Sequence, residues 1–129
     1  MDPTQALRRK RILIVEDEPG YQELLETLLG GSFDPVVCSS VEEALAKIDM
    51  EPFDLIIADI NLQGMTGFQI LAKMKSLNRL DVCPVVMCSS QVDLMTKEMA
   101  SEMGAAGFIP KPYEFEMVLS TVKALLGAS

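Results

Sequence analysis

Four short apolar runs punctuate the chain, each ending in polar residues: Ile12-Leu13-Ile14-Val15 leads into Glu16-Asp17, Leu55-Ile56-Ile57-Ala58 into Asp59, Pro84-Val85-Val86-Met87-Cys88 into Ser89, and Gly107-Phe108-Ile109 into Lys111-Pro112. Unbroken runs of this length describe strands apolar on both faces, as in parallel sheets covered by helices. Between them the periodicity becomes helical. Pro19 suits a first helical turn, Leu24, Leu25, Leu28 and Leu29 form one stripe, and Gly30-Gly31 makes a C-terminal stop. Val36-Val37-Cys38 reads as a short second strand. Ser40 with Glu43 reads as a capping box opening a helix with Leu45 and Ile48 inward, which Pro52 ends. A strand is predicted at about 54–58, and Gly64 and Gly67 loosen a loop before a helix with Ile70, Leu71 and Met74 on one side. Further strands are predicted at about 83–88 and 107–109, with helices near 93–103 and 113–126.

Strand and helix therefore alternate five times with short connections, which implies parallel pairing through right-handed crossovers. A closed eight-stranded barrel would need about 200 residues or more. The expected fold is α/β: a flavodoxin-like, doubly wound (βα)5 domain with a five-stranded parallel sheet in the order 2-1-3-4-5. Strands 1 and 3 then flank the switch point, and Glu16, Asp17 and Asp59 converge beyond their carboxyl ends.

At 129 residues and 49% apolar, the chain is long enough for one domain with a real core. That domain is expected over residues 11–127, after a flexible basic lead-in at 1–10. Arg8, Arg9, Lys10 and Arg11 are four of the eleven basic residues; seven basic residues then face eighteen acidic ones from residue 12 onward. The acidic body argues against direct binding to nucleic acid or an anionic membrane. The basic tetrad reads as a solvated lead-in or as a contact patch. Nothing resembles a signal peptide, and no apolar run approaches the roughly 18 residues of a membrane span, so a cytoplasmic protein is expected. Cys38, Cys83 and Cys88 are expected to be reduced and buried. Histidine is absent, which removes Ser-His-Asp and Cys-His nucleophile systems and His-ligated zinc.

Three convergent carboxylates repel unless a cation neutralises them. Oxygen ligands without His or Cys favour Mg²⁺. Glu16, Asp17 and Glu18 also fit the acidic first turn of a helix, but that account leaves Asp59 and Lys111 unexplained. Asp59 is the candidate nucleophile, since a carboxylate beside Mg²⁺ can attack phosphorus in line and form an acyl phosphate. Lys111 would supply positive charge to phosphoryl oxygens and Ser89 a hydroxyl donor, although Ser89-Ser90 also fits a helix N-cap.

Glu16-Asp17, Asp59, Ser89 and Lys111-Pro112, separated by 42, 30 and 22 residues, resemble the receiver domain of bacterial two-component response regulators, the chemotaxis regulators included. The resemblance covers about residues 10–127. It implies that Asp17, Asp59 and the backbone carbonyl of Asn61 bind Mg²⁺, with Glu16 helping through water, and that Asp59 accepts the phosphoryl group. It further implies a cis Lys111-Pro112 bond and a switch pair, Ser89 and Phe108, that reshapes the face of the fourth helix, fifth strand and fifth helix. Asn61 and Gln91 are expected to set the dephosphorylation rate.

Some positions depart from the usual pattern. Ser89 replaces the commoner Thr, Phe108 the frequent Tyr, and Leu62-Gln63-Gly64 the familiar Met-Pro, which should make that loop more flexible. Met95, Met99 and Met103 recur on the fourth helix and either contact a partner or, for Met99 and Met103, pack on the sheet. Three functions stay open. The first is a signalling module, not an enzyme beyond its own aspartyl phosphorylation and dephosphorylation. It would take phosphate from a sensor histidine kinase or a histidine phosphotransfer protein and contact a downstream protein as a monomer or a phosphorylation-dependent dimer. The others are a haloacid-dehalogenase-type small-molecule phosphatase, disfavoured by residue order, and a receiver-like interaction domain that is never phosphorylated. The preferred form is a stand-alone regulator.

Overall fold

The apolar runs become strands because each is enclosed on both faces. In the computed structural model, which describes residues 9–62, 65–91 and 93–127, β1 (Arg11–Val15), β2 (Asp34–Cys38), β3 (Leu55–Asp59), β4 (Val85–Ser89) and β5 (Gly107–Pro110) form one parallel sheet. Its order is β2-β1-β3-β4-β5, as expected. The helices α1 (Pro19–Leu29), α2 (Val41–Met50), α3 (Phe68–Ser76), α4 (Leu94–Glu102) and α5 (Phe115–Leu126) alternate with the strands. Side chains alternate across the sheet and build two cores. Leu13, Val15, Ile56, Ala58, Val85 and Met87 meet α2, α3 and α4 through Ala44, Ile48, Ile70, Leu71, Met74 and Ala100. Ile12, Ile14, Leu55, Ile57, Val86 and Cys88 meet α1 and α5 through Leu25, Leu29, Val118 and Val122. Each fully buried Ile or Leu contributes about 2 kcal/mol of transfer free energy.

Register brings the chemistry to one edge. Val15 pairs with Ala58, Asp59 with Cys88, and Ser89 with Pro110. Glu16, Asp59, Ser89 and Lys111 therefore all emerge at the carboxyl end of the sheet. All three cysteines are free and buried, as expected. Burial pushes the Cys38 and Cys88 thiols up to about 12 and Cys83 up to about 11.

Several details differ from the sequence reading. β2 begins at Asp34, two residues early, because an edge strand tolerates Pro35 while Asp34 N–H donates to the Lys10 carbonyl at 2.8 Å. β4 begins at Val85 and α5 at Phe115, each two residues late. An antiparallel two-residue ribbon, Asn61–Leu62 with Met65–Thr66, follows β3. Gln63 and Gly64, where a more flexible loop is expected, lie outside the described residues, as do residues 1–8 of the basic lead-in. At its described end, Arg9 donates to the Gly30 carbonyl at 2.7 Å.

Arg11 is no solvated lead-in. It opens β1, pairs with Glu51 at 2.7 Å and Asp34 at 3.4 Å, and lies 4.8 Å from the centre of the Phe53 ring. α1 ends at Leu29 as expected, yet Gly30 is right-handed (φ −65°). Glycine is needed there because a Cβ would meet the Glu26 carbonyl oxygen at 2.8 Å. Ser40 caps α2 by accepting from Glu43 N–H at 3.1 Å. Met103, just past the end of α4, packs on the core, whereas Met95 and Met99 on α4 are exposed, so Met99 does not pack on the sheet.

Candidate functional site

Because β1 and β3 are neighbours, the carboxylates of Glu16, Asp17 and Asp59 converge, with one oxygen of each within 4.8 Å of the others. Glu16 is 1% exposed and Asp59 5%, so both charges sit largely out of water. The Lys111 ammonium compensates them, lying 2.7 Å from Glu16 Oε1 and 2.7 Å from Asp59 Oδ2. The Lys111-Pro112 bond is cis, as expected, and Lys111 N–H donates to the Ser89 carbonyl at 2.9 Å.

Further donors hold the Glu16 and Asp59 carboxylates. Asn61 N–H donates to Asp59 Oδ1 at 3.1 Å, Glu18 N–H to Glu16 Oε2 at 3.2 Å, and the Tyr113 hydroxyl to Glu16 Oε1 at 3.3 Å. Among the described residues, no buried side-chain nitrogen or oxygen lacks a partner. Burial pushes the Glu16 carboxyl above the usual carboxylate range, against the pull of Lys111 and the Glu18 N–H. Burial also works against the Lys111 charge, but hydrogen bonds to Asp59 and Glu16 outweigh it and hold the ammonium above the ordinary lysine value.

A cavity of about 490 Å³ opens over this group, lined by Asp17, Asp59, Asn61 and Lys111, together with Glu18, Pro19, Tyr21 and Ser90. Ser89 stands apart from that cavity. It is fully buried, and its hydroxyl accepts the Gln91 N–H at 2.9 Å in a local turn; Ser89-Ser90 is not the helix N-cap, because Asp93 caps α4 by accepting from Thr96 N–H at 2.7 Å. Gln91 is exposed. Phe108 is half-buried, its ring centre 5.8 Å from Lys97 Nζ. The structure thus gathers Glu16, Asp17, Asp59, Asn61 and Lys111, and keeps Ser89, Gln91 and Phe108 on the flank. The sequence reading missed Tyr21 and Tyr113, whose rings meet edge-on at 5.0 Å beside Lys111. An aromatic residue directly after Lys111-Pro112 was the available signal.

The donor set fits a hard divalent cation. Three carboxylates against one ammonium leave two negative charges, and every candidate ligand is oxygen, the preference of Mg²⁺ over softer metals. Charge and ligand chemistry agree.

The sequence matches the family model of the response regulator receiver domain over residues 12–123. The chain belongs to this family. It is therefore a phosphoryl-accepting signalling module, and the phosphatase alternative is not supported. The chain is 34% identical over 117 residues to the transcriptional regulatory protein BaeR of Escherichia coli, covering 90% of this chain and 48% of that protein. It is 34% identical over 113 residues to the response regulator protein FleR of Pseudomonas aeruginosa, covering 87% and 24%. It thus spans about half or less of the length of these curated relatives. Among solved structures, the chemotaxis response regulator CheY4 of Vibrio cholerae superposes with a TM-score of 0.84 at 26% identity, covering 92% of this chain and 99% of that one. A putative response regulator from Chloroflexus aurantiacus gives 0.85 at 28% identity, covering 94% and 100%. Among the described residues of this receiver domain, no helix is long and apolar enough to cross a membrane.

Proposed function

We propose that Asp59 accepts a phosphoryl group from a phosphohistidine on a sensor histidine kinase or a histidine phosphotransfer protein, in the cytoplasm. The observation that carries this reading is the Lys111 ammonium bridging Glu16 and Asp59 at 2.7 Å each, under an open cavity. An Asp59 carboxylate oxygen attacks phosphorus in line, the P–N bond breaks, and the donor imidazole leaves with the electron pair. The product is an aspartyl phosphate. Asp17, Asp59 and the Asn61 carbonyl would hold Mg²⁺, with Glu16 acting through water; the ion supplies charge neutralisation for the incoming phosphoryl oxygens. Lys111 holds a phosphoryl oxygen, and Asn61 N–H keeps the Asp59 carboxylate oriented. Beyond promoting its own phosphorylation and dephosphorylation, the domain is not an enzyme.

The signal leaves through Ser89 and Phe108. The Ser89 hydroxyl turns from Gln91 N–H toward the phosphoryl group, and the Phe108 ring follows into the vacated space, reshaping the α4, β5 and α5 face. Leu94, Met95 and Met99 on α4 and Phe115 and Met117 on α5 are exposed there and support contact with a downstream protein.

Incubation with Mg²⁺ and acetyl phosphate tests the reading. A stable gain of one phosphoryl group, lost in Asp59→Asn or without Mg²⁺, is expected. Steady phosphate release would instead mark a phosphatase, and no reaction an interaction domain.

A further inference from the structure

Tyr113 is 8% exposed, and its hydroxyl donates at 3.3 Å to Glu16 Oε1, the oxygen that Lys111 Nζ holds at 2.7 Å. Its ring meets Tyr21 edge-on, centroids 5.0 Å apart and planes at 75°. The Lys111 ammonium lies 4.5 Å from the Tyr21 ring centre and 5.8 Å from that of Tyr113. Two carboxylates and two aromatic rings therefore enclose one ammonium, all of them attractive to positive charge. None of the roles proposed above uses these rings or this hydroxyl.

Glu16 needs such support. Its Oε2 is tied to the Glu18 N–H, but Oε1 is shared between Lys111 and Tyr113. When a phosphoryl group forms on Asp59, negative charge moves outward onto its oxygens, and the ammonium must follow without leaving Glu16. A Glu16 side chain free to swing would let the ammonium settle elsewhere. We infer that Tyr113, through its hydroxyl on Glu16 and its edge-on contact with Tyr21, is a positioning residue that keeps the Lys111 ammonium aimed at the phosphoryl group on Asp59. The inference rests on Asp59 being the acceptor.

The full chain, Tyr113→Phe and Tyr21→Leu are compared with saturating Mg²⁺ in acetyl phosphate phosphorylation and in beryllofluoride binding. Tyr113→Phe removes a single oxygen and keeps the ring. It is expected to slow phosphorylation and weaken beryllofluoride by about threefold, the scale of one long hydrogen bond lost. The ¹⁵N resonance of the Lys111 ammonium should shift, while Tm stays at the wild-type value. Tyr21→Leu, at a half-buried position in the first turn of α1, should weaken beryllofluoride by about threefold through loss of the nearer ring. A lowered Tm with wild-type phosphorylation and beryllofluoride binding in Tyr113→Phe would reduce Tyr113 to a packing residue and overturn the inference, as would wild-type values in both variants. A wild-type chain that gains no phosphoryl group would instead remove the acceptor reading beneath it.

Discussion

Gly67 lies against the main chain of Asp59: a Cβ at position 67 would overlap the Asp59 carbonyl oxygen and stand 3.0 Å from the carbonyl carbon. The obstacle is space, not backbone angle, since Gly67 is right-handed with φ −62°. Its N–H also donates to the Ile60 carbonyl at 2.9 Å, closing the ribbon after β3. Gly67→Ala must therefore displace either α3 or Asp59. A loss of at least about 2 kcal/mol is expected, together with slower phosphorylation. Urea unfolding with an unchanged midpoint would refute this account.

Removing the charge of Lys111, whose side chain is 8% exposed, strands Glu16 and Asp59. Breaking such a buried pair costs about 3–5 kcal/mol. Lys111→Met should lower the metal-free Tm, and Mg²⁺ should raise it by more than it raises wild type, because the dication replaces the missing counter-charge. Equal Mg²⁺-induced shifts would contradict the electrostatic picture.

The acid limb of stability should carry a signature of Glu16. Its folded carboxyl lies above the ordinary value of 4.5, with burial the main cause, so the folded state holds that proton more tightly than the unfolded chain. This contribution is fully present below 4.5 and is lost as pH rises through the raised value. Metal-free wild type should therefore gain stability relative to Glu16→Gln as pH falls from about 8 toward 4. Lys111 acts at the other end, its contribution present below 10.5 and lost only above its raised value. Urea midpoints of both proteins across this range provide the check, and a constant difference would be the adverse result.

Asn61 and Gln91 are both exposed, each with a backbone N–H anchored, to Asp59 Oδ1 at 3.1 Å and to Ser89 Oγ at 2.9 Å. With Asp59 as the proposed acceptor, their side chains are expected to admit or obstruct attacking water. Exchanging the two residues should change the acyl phosphate half-life severalfold and leave its formation rate nearly intact, as measured by the decay of phosphorylated protein after acetyl phosphate is removed.

Strands buried on both faces announce themselves as continuous apolar runs, so β1, β3, β4 and β5 were readable to within two residues. The edge strand β2 was cut short because Asp34 and Pro35 look like a turn, although an edge position accepts both. The ribbon after β3 spans two residues a side, too short for any periodicity. Asp17, Asp59 and Lys111 were readable as a group because strand ends fix direction. Tyr113 follows the Lys111-Pro112 signal directly, but its hydroxyl partner Glu16 lies 97 residues away in sequence, and Tyr21 meets Lys111 only through folding, so neither role was assigned. Arg11 misled for the opposite reason: its neighbours in sequence are basic, while its partners Asp34 and Glu51 arrive through folding.

The edge-on ring pair also gives the molecule a built-in reporter. The chain has two tyrosines and no tryptophan, and both phenols stand against the same ammonium. Tyrosine emission from this chain therefore originates beside the ammonium that holds Asp59, and a change of charge there can be followed optically without attaching a dye.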